Sequence, residues 1–421
     1  MRIALISKAD HSGGGASKMA EDLRLTLLAD GHEVVHWVSW SKSGYDSRVR
    51  RLYGERFQRK FYRWSRAVKS WFAPDVIPFE LPNLFWQNLP ANFDLVHIHD
   101  ISFAASPLSV RYLAKRMPVL WTLHDCSAFT GGCIQPMDCT RYTKGCGECP
   151  QHGLPPLDSR FDYSALKWRL NRRTLKEPLL QLAAPSTWLA ERLHAAVPQL
   201  KPAYLLANTV DTALFAPQTI QQKALLQSQL NLDPALPTIL LGAAQLDNPY
   251  KGITLGLQAL QQLKHGGLQF NLLLVGKESS QIQSQYAALN PRFTGFIDTA
   301  ERMNDIYAAA DLMVYPSIAD NQPLQVLEAL ATNLPVIAFD VGGLAEVLSP
   351  ICPQWLVTGK NPEQLAARIE DFFKTPPVLL TTPRQYIQRQ HNHTQLSSTH
   401  LDVYQRCIGR WQKLQANNHE Q

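Results

Sequence analysis

Two carboxylates eight residues apart, Asp320 and Glu328, stand in the stretch P-S-I-A-D-N-Q-P-L-Q-V-L-E-A-L-A-T-N-L-P-V-I-A-F-D-V-G-G-L-A-E from Pro316 to Glu346. A carboxylate accepts hydroxyl donors well, so the pair suits a hydroxyl-rich ligand. Asp320 is expected in a turn at a helix N-terminus, with Glu328 two turns inside that helix. A helix start adds unbonded backbone N–H groups and a positive end, which suit an anion. Leu324 and Gln325 would supply such amides, whereas Pro323 has no N–H to give. By itself, a helical Glu is most often a solvated surface carboxylate.

Further chemistry-bearing residues lie in the first half. His11-Ser12-Gly13-Gly14-Gly15-Ala16-Ser17 is glycine-rich, and Gly14 and Gly15 would let backbone amides approach a phosphate or sugar. It is not the G-x-G-x-x-G fingerprint, and such a turn is often only a tight turn. His97, His99 and Asp100 end one apolar run, and His124 and Asp125 end another. Cys133, Cys139, Cys146 and Cys149 are spaced C-x5-C-x6-C-x2-C, with Cys126 just upstream. Four thiolates suit a closed, structural tetrahedral zinc site, and the C-G-x-C pair has the shape of a metal knuckle. Disulfides, free thiols or an iron–sulfur cluster are the alternatives.

These residues need a scaffold, and the chain reads as strand–turn–helix repeated. Arg2 to Ser7 is a strand, a helix runs to about Ala29, and Glu33 to Val38 is the next strand. Asp94–Ile98, Pro118–Leu123, Thr238–Ala243, Phe270–Gly276, Leu312–Tyr315 and Val336–Phe339 are further short apolar runs. Alternation of strands and helices implies parallel α/β sheets, whose ligands bind at strand carboxyl ends. Gln218 to Asp233 is polar and is expected to link two halves. Ser397 to Leu414 is a last amphipathic helix.

Composition excludes little. The chain has 421 residues, 45% apolar, with a net charge of +6, enough for two cores. No apolar run reaches membrane-spanning length, and Met1 to Ile6 is too short for a signal peptide, so a cytoplasmic protein is expected. Residues 48–72 interleave Arg48, Arg50, Arg51, Arg56, Arg59, Lys60, Arg63, Arg66 and Lys69 with Tyr53, Phe57, Phe61, Tyr62, Trp64, Trp71 and Phe72. That mixture can mark a membrane-surface segment or a solvated face. No nucleic-acid fold signature accompanies it, so a nucleic-acid partner is not expected.

The chain also resembles a known family over nearly its whole length. The acidic residue seven residues before Glu328-Ala329, the Pro335-Val336-Ile337 strand and Gly342-Gly343-x-x-Glu346 resemble the donor site of retaining family 4 glycosyltransferases. So do Thr122-Leu123-His124-Asp125, Ala184-Pro185-Ser186 and Asn208-Thr209-Val210-Asp211. The pieces around Cys133 and Cys146–Gln151 resemble a polysaccharide-biosynthesis subgroup that includes colanic acid and capsule enzymes. The resemblance implies the α/β GT-B fold: two Rossmann-like parallel-sheet domains facing a cleft, with a C-terminal helix crossing back to the first. It places an acceptor-side domain at 1–210, with a Cys-rich insertion at 126–151 and a C-terminal helix at 391–421. The donor domain is placed at 211–390. It implies a UDP- or GDP-sugar donor, a lipid-linked or oligosaccharide acceptor, and no catalytic metal. Glu328 would hold ribose hydroxyls, Lys251 the diphosphate, and Asp320 and His124 the donor sugar. His99 and Asp100 would lie on the acceptor side. The family's usual acidic residue at 320 is Glu, its turn at 209 carries Gly, and its clamp Arg falls near Ala243. These departures keep a non-catalytic scaffold on the same frame as an alternative. A nucleotide-sugar epimerase is a second.

Overall fold

In a computed structural model, residues 1–54, 76–102, 104–154, 156–277 and 279–419 are described. The chain divides into two compact units, Met1–Ala207 with Gln395–Gln421, and Asn208–Thr394.

The first unit is built on seven parallel strands: β1 (Arg2–Ala9), β2 (Glu33–Trp40), β3 (Val49–Arg51), β4 (Leu95–Ile98), β5 (Val119–Thr122), β6 (Leu180–Ala184) and β7 (Tyr204–Leu205). They stand in the order β3-β2-β1-β4-β5-β6-β7. The strands are almost continuously apolar because helices cover both faces of a parallel sheet. Ile3, Leu5, Val96 and Leu120 are fully buried. The order reverses beside β1, which pairs with β2 and with β4. A crevice at strand carboxyl ends forms at such a switch point. The Gly14 turn follows β1, His99 and Asp100 follow β4, and His124 follows β5. The last helix, Leu396–His419, belongs to this unit and packs on the helix Gly15–Ala29 and on β5. It runs past the expected Leu414, so the tail from Ala416 continues the helix to His419.

The second unit has six parallel strands: β8 (Thr238–Gln245), β9 (Asn271–Lys277), β10 (Arg292–Phe293), β11 (Leu312–Tyr315), β12 (Val336–Phe339) and β13 (Leu356–Val357). Their order is β10-β9-β8-β11-β12-β13. Gln218 to Asp233 is not a linker. Ile220–Gln229 is a helix whose Thr219 hydroxyl and Gln222 side chain form a reciprocal capping box. A polar, Gln-rich composition hid a start signal that was present in the sequence.

The basic-aromatic stretch is only partly described. Val49–Arg51 is an edge strand paired with β2. Arg51 stacks over Tyr45 at 4.0 Å, and Arg50 lies 5.8 Å from the Trp37 ring centroid. Residues 55–72 lie outside the described residues. Among the described residues no helix is long and apolar enough to cross a membrane.

Candidate functional site

The second unit gathers the strongest polar constellation. β11 ends in Tyr315, and the turn after it carries Asp320. Lys251 Nζ donates to Asp320 Oδ2 at 2.5 Å and to Tyr315 Oη at 3.2 Å. The Tyr315 hydroxyl donates to the same Oδ2 at 2.6 Å, and the Asn321 amide donates to Oδ1 at 2.9 Å. The result is a closed triangle of cation, phenol and carboxylate. Burial raises the cost of both charges, but each charge offsets it for the other. Lys251 is held above the usual lysine range and Asp320 below the usual carboxylate range. Burial and the Asp320 charge push the Tyr315 phenol upward.

Two glycines explain why this turn can be so tightly held. Gly252 has φ +60°, and a Cβ there would lie 1.9 Å from the Pro316 carbonyl oxygen. Gly342 has φ +62°, and a Cβ there would lie 1.7 Å from the Asp320 carbonyl oxygen. Both positions therefore need glycine, for backbone conformation and for space. Lys251-Gly252 and Gly342-Gly343 are thus clamps on one loop. The Ile318 amide and the Ser317 hydroxyl both donate to the Tyr250 carbonyl, at 2.9 and 3.0 Å.

The helix after the turn runs Leu324–Ala331. Glu328 lies one turn inside it, not two, because the helix begins only after Pro323. Its first backbone bond is from Val326 to Pro323, so the amides of Leu324 and Gln325 precede the ladder. Glu328 is buried, and Tyr307 donates to its Oε2 at 3.0 Å. Burial and that carboxylate push the Tyr307 phenol well above its ordinary value. Thr209 is buried with an unpartnered hydroxyl, while Asn208 beside it is bonded through both its backbone and its side-chain amide to Gln322. Ala243, where the resembled family places a clamp Arg, is a buried residue of β8.

The first unit holds a separate histidine cluster. His97 sits within β4 rather than at its end, and it is fully buried. Its Nε2 bonds Thr122 Oγ1 at 2.8 Å and its Nδ1 bonds the Tyr404 hydroxyl at 2.7 Å. His99 is buried too, so it does not stand open to an acceptor. Its Nδ1 lies 3.0 Å from His124 Nε2. His124 is half-buried. Burial pulls His124 and His400 down to about 4, and holds His97 and His99 well below the ordinary histidine value. Asp100 and Asp125 are half-buried and joined through Ser102, which bonds Asp100 Oδ1 by its amide at 2.9 Å and Asp125 Oδ2 by its hydroxyl at 3.4 Å. Burial, then the Asp100 charge, raise Asp125 to about 6. Gly14 starts the first long helix at φ +101° with open space where a Cβ would point, and Gly15 is that helix's first residue.

Cys133, Cys139, Cys146 and Cys149 are free thiols, and Cys133 alone of the four is fully buried. Among the described residues no group of three or more His, Cys, Asp or Glu side chains gathers to hold a metal ion. Burial pushes the Cys133 and Cys146 thiols up to about 11 and 12. The loop is ordered by its own polar contacts. Arg141 bonds the carbonyls of Gly147 and Glu148, Trp168 bonds Tyr142, and Asp162 accepts from the Cys149 amide.

Sequence reasoning missed Tyr315, Tyr307, Thr122, His400 and Tyr404. Tyr315 had a signal, since it closes a strand five residues before Asp320. Tyr404 and His400 had only the i, i+4 spacing of a helix about 300 residues away from their partner His97.

Known proteins resemble this chain in sequence and in fold. The profile of the family described as Glycosyltransferase Family 4 matches residues 13–214, and that of Glycosyl transferases group 1 matches residues 237–375. A 2-deoxystreptamine glucosyltransferase of Streptomyces kanamyceticus is 25% identical over 76% of this chain and 79% of its own length. A putative colanic acid biosynthesis glycosyl transferase, WcaC, of Escherichia coli K12 is 24% identical over 71% of this chain and 68% of its own. In fold, the chain is similar to a sucrose-phosphate synthase from Thermosynechococcus elongatus, with TM-score 0.69, 20% identity, and coverage of 97% of this chain and 99% of that one. It is also similar to Anabaena Alr3699/HepE in complex with UDP-glucose, with TM-score 0.65, 16% identity, and coverage of 96% and 99%.

Proposed function

We infer a retaining sugar transfer from the premise that this chain belongs to the family 4 and group 1 glycosyltransferases of GT-B fold. The donor is a nucleoside-diphosphate sugar and the acceptor a lipid-linked saccharide of a surface polysaccharide. The observation that carries the reading is the Lys251–Tyr315–Asp320 triangle at the carboxyl end of β11. A cation already fixed beside a strand end costs no reorganisation when charge develops on a leaving diphosphate, and such fixed charge is usually the largest catalytic term. In this reading Lys251 serves the diphosphate, with the Leu324 and Gln325 amides beside it. Asp320 binds sugar hydroxyls, Glu328 the ribose, and His124 the sugar from the first unit. Gly14 and Gly15 leave room for the donor, and Asp100 lies on the acceptor side. Relatives named for colanic acid biosynthesis support a polysaccharide role. Structural neighbours with UDP or UDP-glucose support a UDP-sugar.

A membrane-borne acceptor is supported by Phe85 and Trp86, which are 61% and 82% exposed on one short helix. Gln87, the next residue, accepts from Arg50 at 3.3 Å, so exposed aromatics and a cation share one surface. That pairing suits anionic lipid headgroups and supports a position on the inner membrane face.

Thermal melting with UDP, GDP, ADP and dTDP, for the wild type and Glu328→Ala, tests the donor site. A diphosphate at about 100 times its Kd stabilises the fold by about 2.7 kcal/mol, and the variant is expected to lose this. If none of the four raises the melting point at millimolar concentration, the buried Ala243 in place of a clamp Arg favours the non-catalytic scaffold.

A further inference from the structure

The histidine cluster of the first unit carries information that goes beyond which residues meet. Four imidazoles, His97, His99, His124 and His400, lie together with Tyr404. The ring centroids of His97 and His99 are 4.1 Å apart, those of His99 and His124 are 5.3 Å apart, and those of His97 and His400 are 5.7 Å apart. No carboxylate bonds His97, His99 or His400 in any contact described above, and the rings are buried among one another. All are therefore neutral at physiological pH, since an added proton would face both desolvation and its neighbours. A neutral imidazole has one N–H and one lone pair, so each bond in the cluster fixes where a proton sits.

The bond between His99 Nδ1 and His124 Nε2, at 3.0 Å, needs one donor and one acceptor. His99 Nε2 is buried and has no partner. A buried unpaired N–H is rarer and costlier than a buried unpaired lone pair. The lone pair of His99 therefore belongs on Nε2 and its proton on Nδ1. His99 is then the donor, and His124 accepts at Nε2. The one proton left to His124 lies on Nδ1.

We propose that His99 is a positioning residue that fixes His124 as its Nδ1–H tautomer, so that His124 offers the donor sugar a hydrogen-bond donor and not an acceptor. This rests on the reading that His124 contacts the sugar. A sugar hydroxyl both gives and takes hydrogen bonds, so an unfixed ring would lose part of its population to the wrong tautomer. The ring of His99 is in turn held from behind. His97 packs against it with its ring tilted by 43°, and is pinned at both nitrogens, by Thr122 and by Tyr404 of the C-terminal helix. The helix Leu396–His419 thus orients a side chain of the site through two intermediaries, Tyr404 and His97.

The test is made on the full chain with 15N-labelled histidine at pH 7.5. Two-bond proton–nitrogen correlation reads the tautomer of each ring, and His124→Gln assigns the His124 signals. The wild type is expected to show His124 protonated on Nδ1. His99→Leu is expected to give His124 as a tautomer mixture. His99→Asn, whose amide N–H can replace the ring Nδ1–H, restores the single tautomer. His99→Asp offers His124 an acceptor and drives it to the Nε2–H form. Release of nucleoside diphosphate from a panel of UDP-, GDP- and ADP-glucose is read alongside. There kcat is expected to fall about tenfold or more in His99→Leu and His99→Asp, with KM little changed, and to recover in His99→Asn. A wild-type His124 protonated on Nε2, or a His99→Leu protein with an unchanged tautomer, overturns the proposal. The wild-type spectrum decides it even if His99→Leu does not fold. If His124→Ala keeps wild-type turnover while the tautomer is as expected, the sugar contact fails and the tautomer assignment stands.

Discussion

Lys251, Tyr315 and Asp320 show why single residues in this fold cannot be assigned alone. Each is paired with the other two, and removing one leaves a half-buried charge or phenol short of a partner. Lys251→Met is expected to destabilise the second unit by about 1–3 kcal/mol in denaturant melts, through the stranded Asp320 carboxylate. It should also lower kcat by about 100-fold, the usual cost of losing one fixed charge at a developing oxyanion. Tyr315→Phe separates the two effects. It keeps both charges and deletes one hydrogen bond, so it should cost about 1 kcal/mol of stability and less activity than Lys251→Met. Equal loss of activity in the two would mean that the phenol, and not the cation, serves the reaction. Asp320 was legible in the sequence because it sits in a polar turn, and Lys251 was legible through the family resemblance. Tyr315 was less so, because a tyrosine ending an apolar strand looks like packing.

The turn between β11 and the helix Leu324–Ala331 is held by backbone on two sides. Alanine at Gly342 would place its Cβ 1.7 Å from the Asp320 carbonyl oxygen, in a left-handed conformation that L side chains resist. Gly342→Ala is expected to lower the melting temperature by about 2–4 °C per kcal/mol lost, and to abolish the nucleotide-induced rise. Gly14→Ala is the contrast. Its φ is +101°, but open space lies where the Cβ would point, so only backbone strain is paid and a smaller drop in melting temperature is expected. At this scale the sequence misjudged one piece. Gln218 to Asp233 folded as a capped helix because Thr219 and Gln222 satisfy each other's backbone. The cysteine loop closed on Arg141, Trp168 and Asp162, partners that no spacing rule points to.

Across the first unit, buried histidines make stability depend on pH. Unfolded, His97, His99, His124 and His400 take up protons below about pH 6.5, whereas burial keeps them neutral in the fold down to about 4 for His124 and His400. The unfolded state then binds more protons, so this contribution is complete above pH 6.5 and is lost as pH falls toward 4. Asp125 acts oppositely. Raised to about 6, it holds a proton longer when folded, and its contribution is greatest in acid and lost as pH rises through 6. Burial raises the Asp100 carboxyl as well, but four imidazoles outweigh these two carboxylates, so the first unit should lose melting temperature between pH 6.5 and 4.5, and His400→Phe should flatten the slope. Removing residues 395–421 should raise amide exchange in β4 and β5 and leave β8 and β9 unchanged, since Tyr404 and His400 pack against His97. Protection in β4 that survived the truncation would contradict the role given to that helix. On membranes, Trp86→Ala should reduce co-sedimentation with anionic vesicles and leave neutral vesicles unaffected.

The sequence by itself determined the two parallel sheets, the turns that follow their strands, and the residues at the strand ends. It could do so because apolar runs, helix stops such as Asn333-Leu334-Pro335, and obligate glycines are local signals. It also marked Asp320, Glu328, Lys251 and His124 as candidates, through their types, their neighbours and the family resemblance. Only the tertiary structure decided their partners. Tyr307 reaches Glu328 across 21 residues, Lys251 reaches Asp320 across 69, and Tyr404 reaches His97 across 307. Such pairs are made by the stacking of strands and the docking of a distant helix, and no periodicity along the chain encodes them. The same reason governs the protons. Whether an imidazole is neutral, and which nitrogen carries its hydrogen, depends on burial and on the atom opposite, and both are set only when the chain has folded.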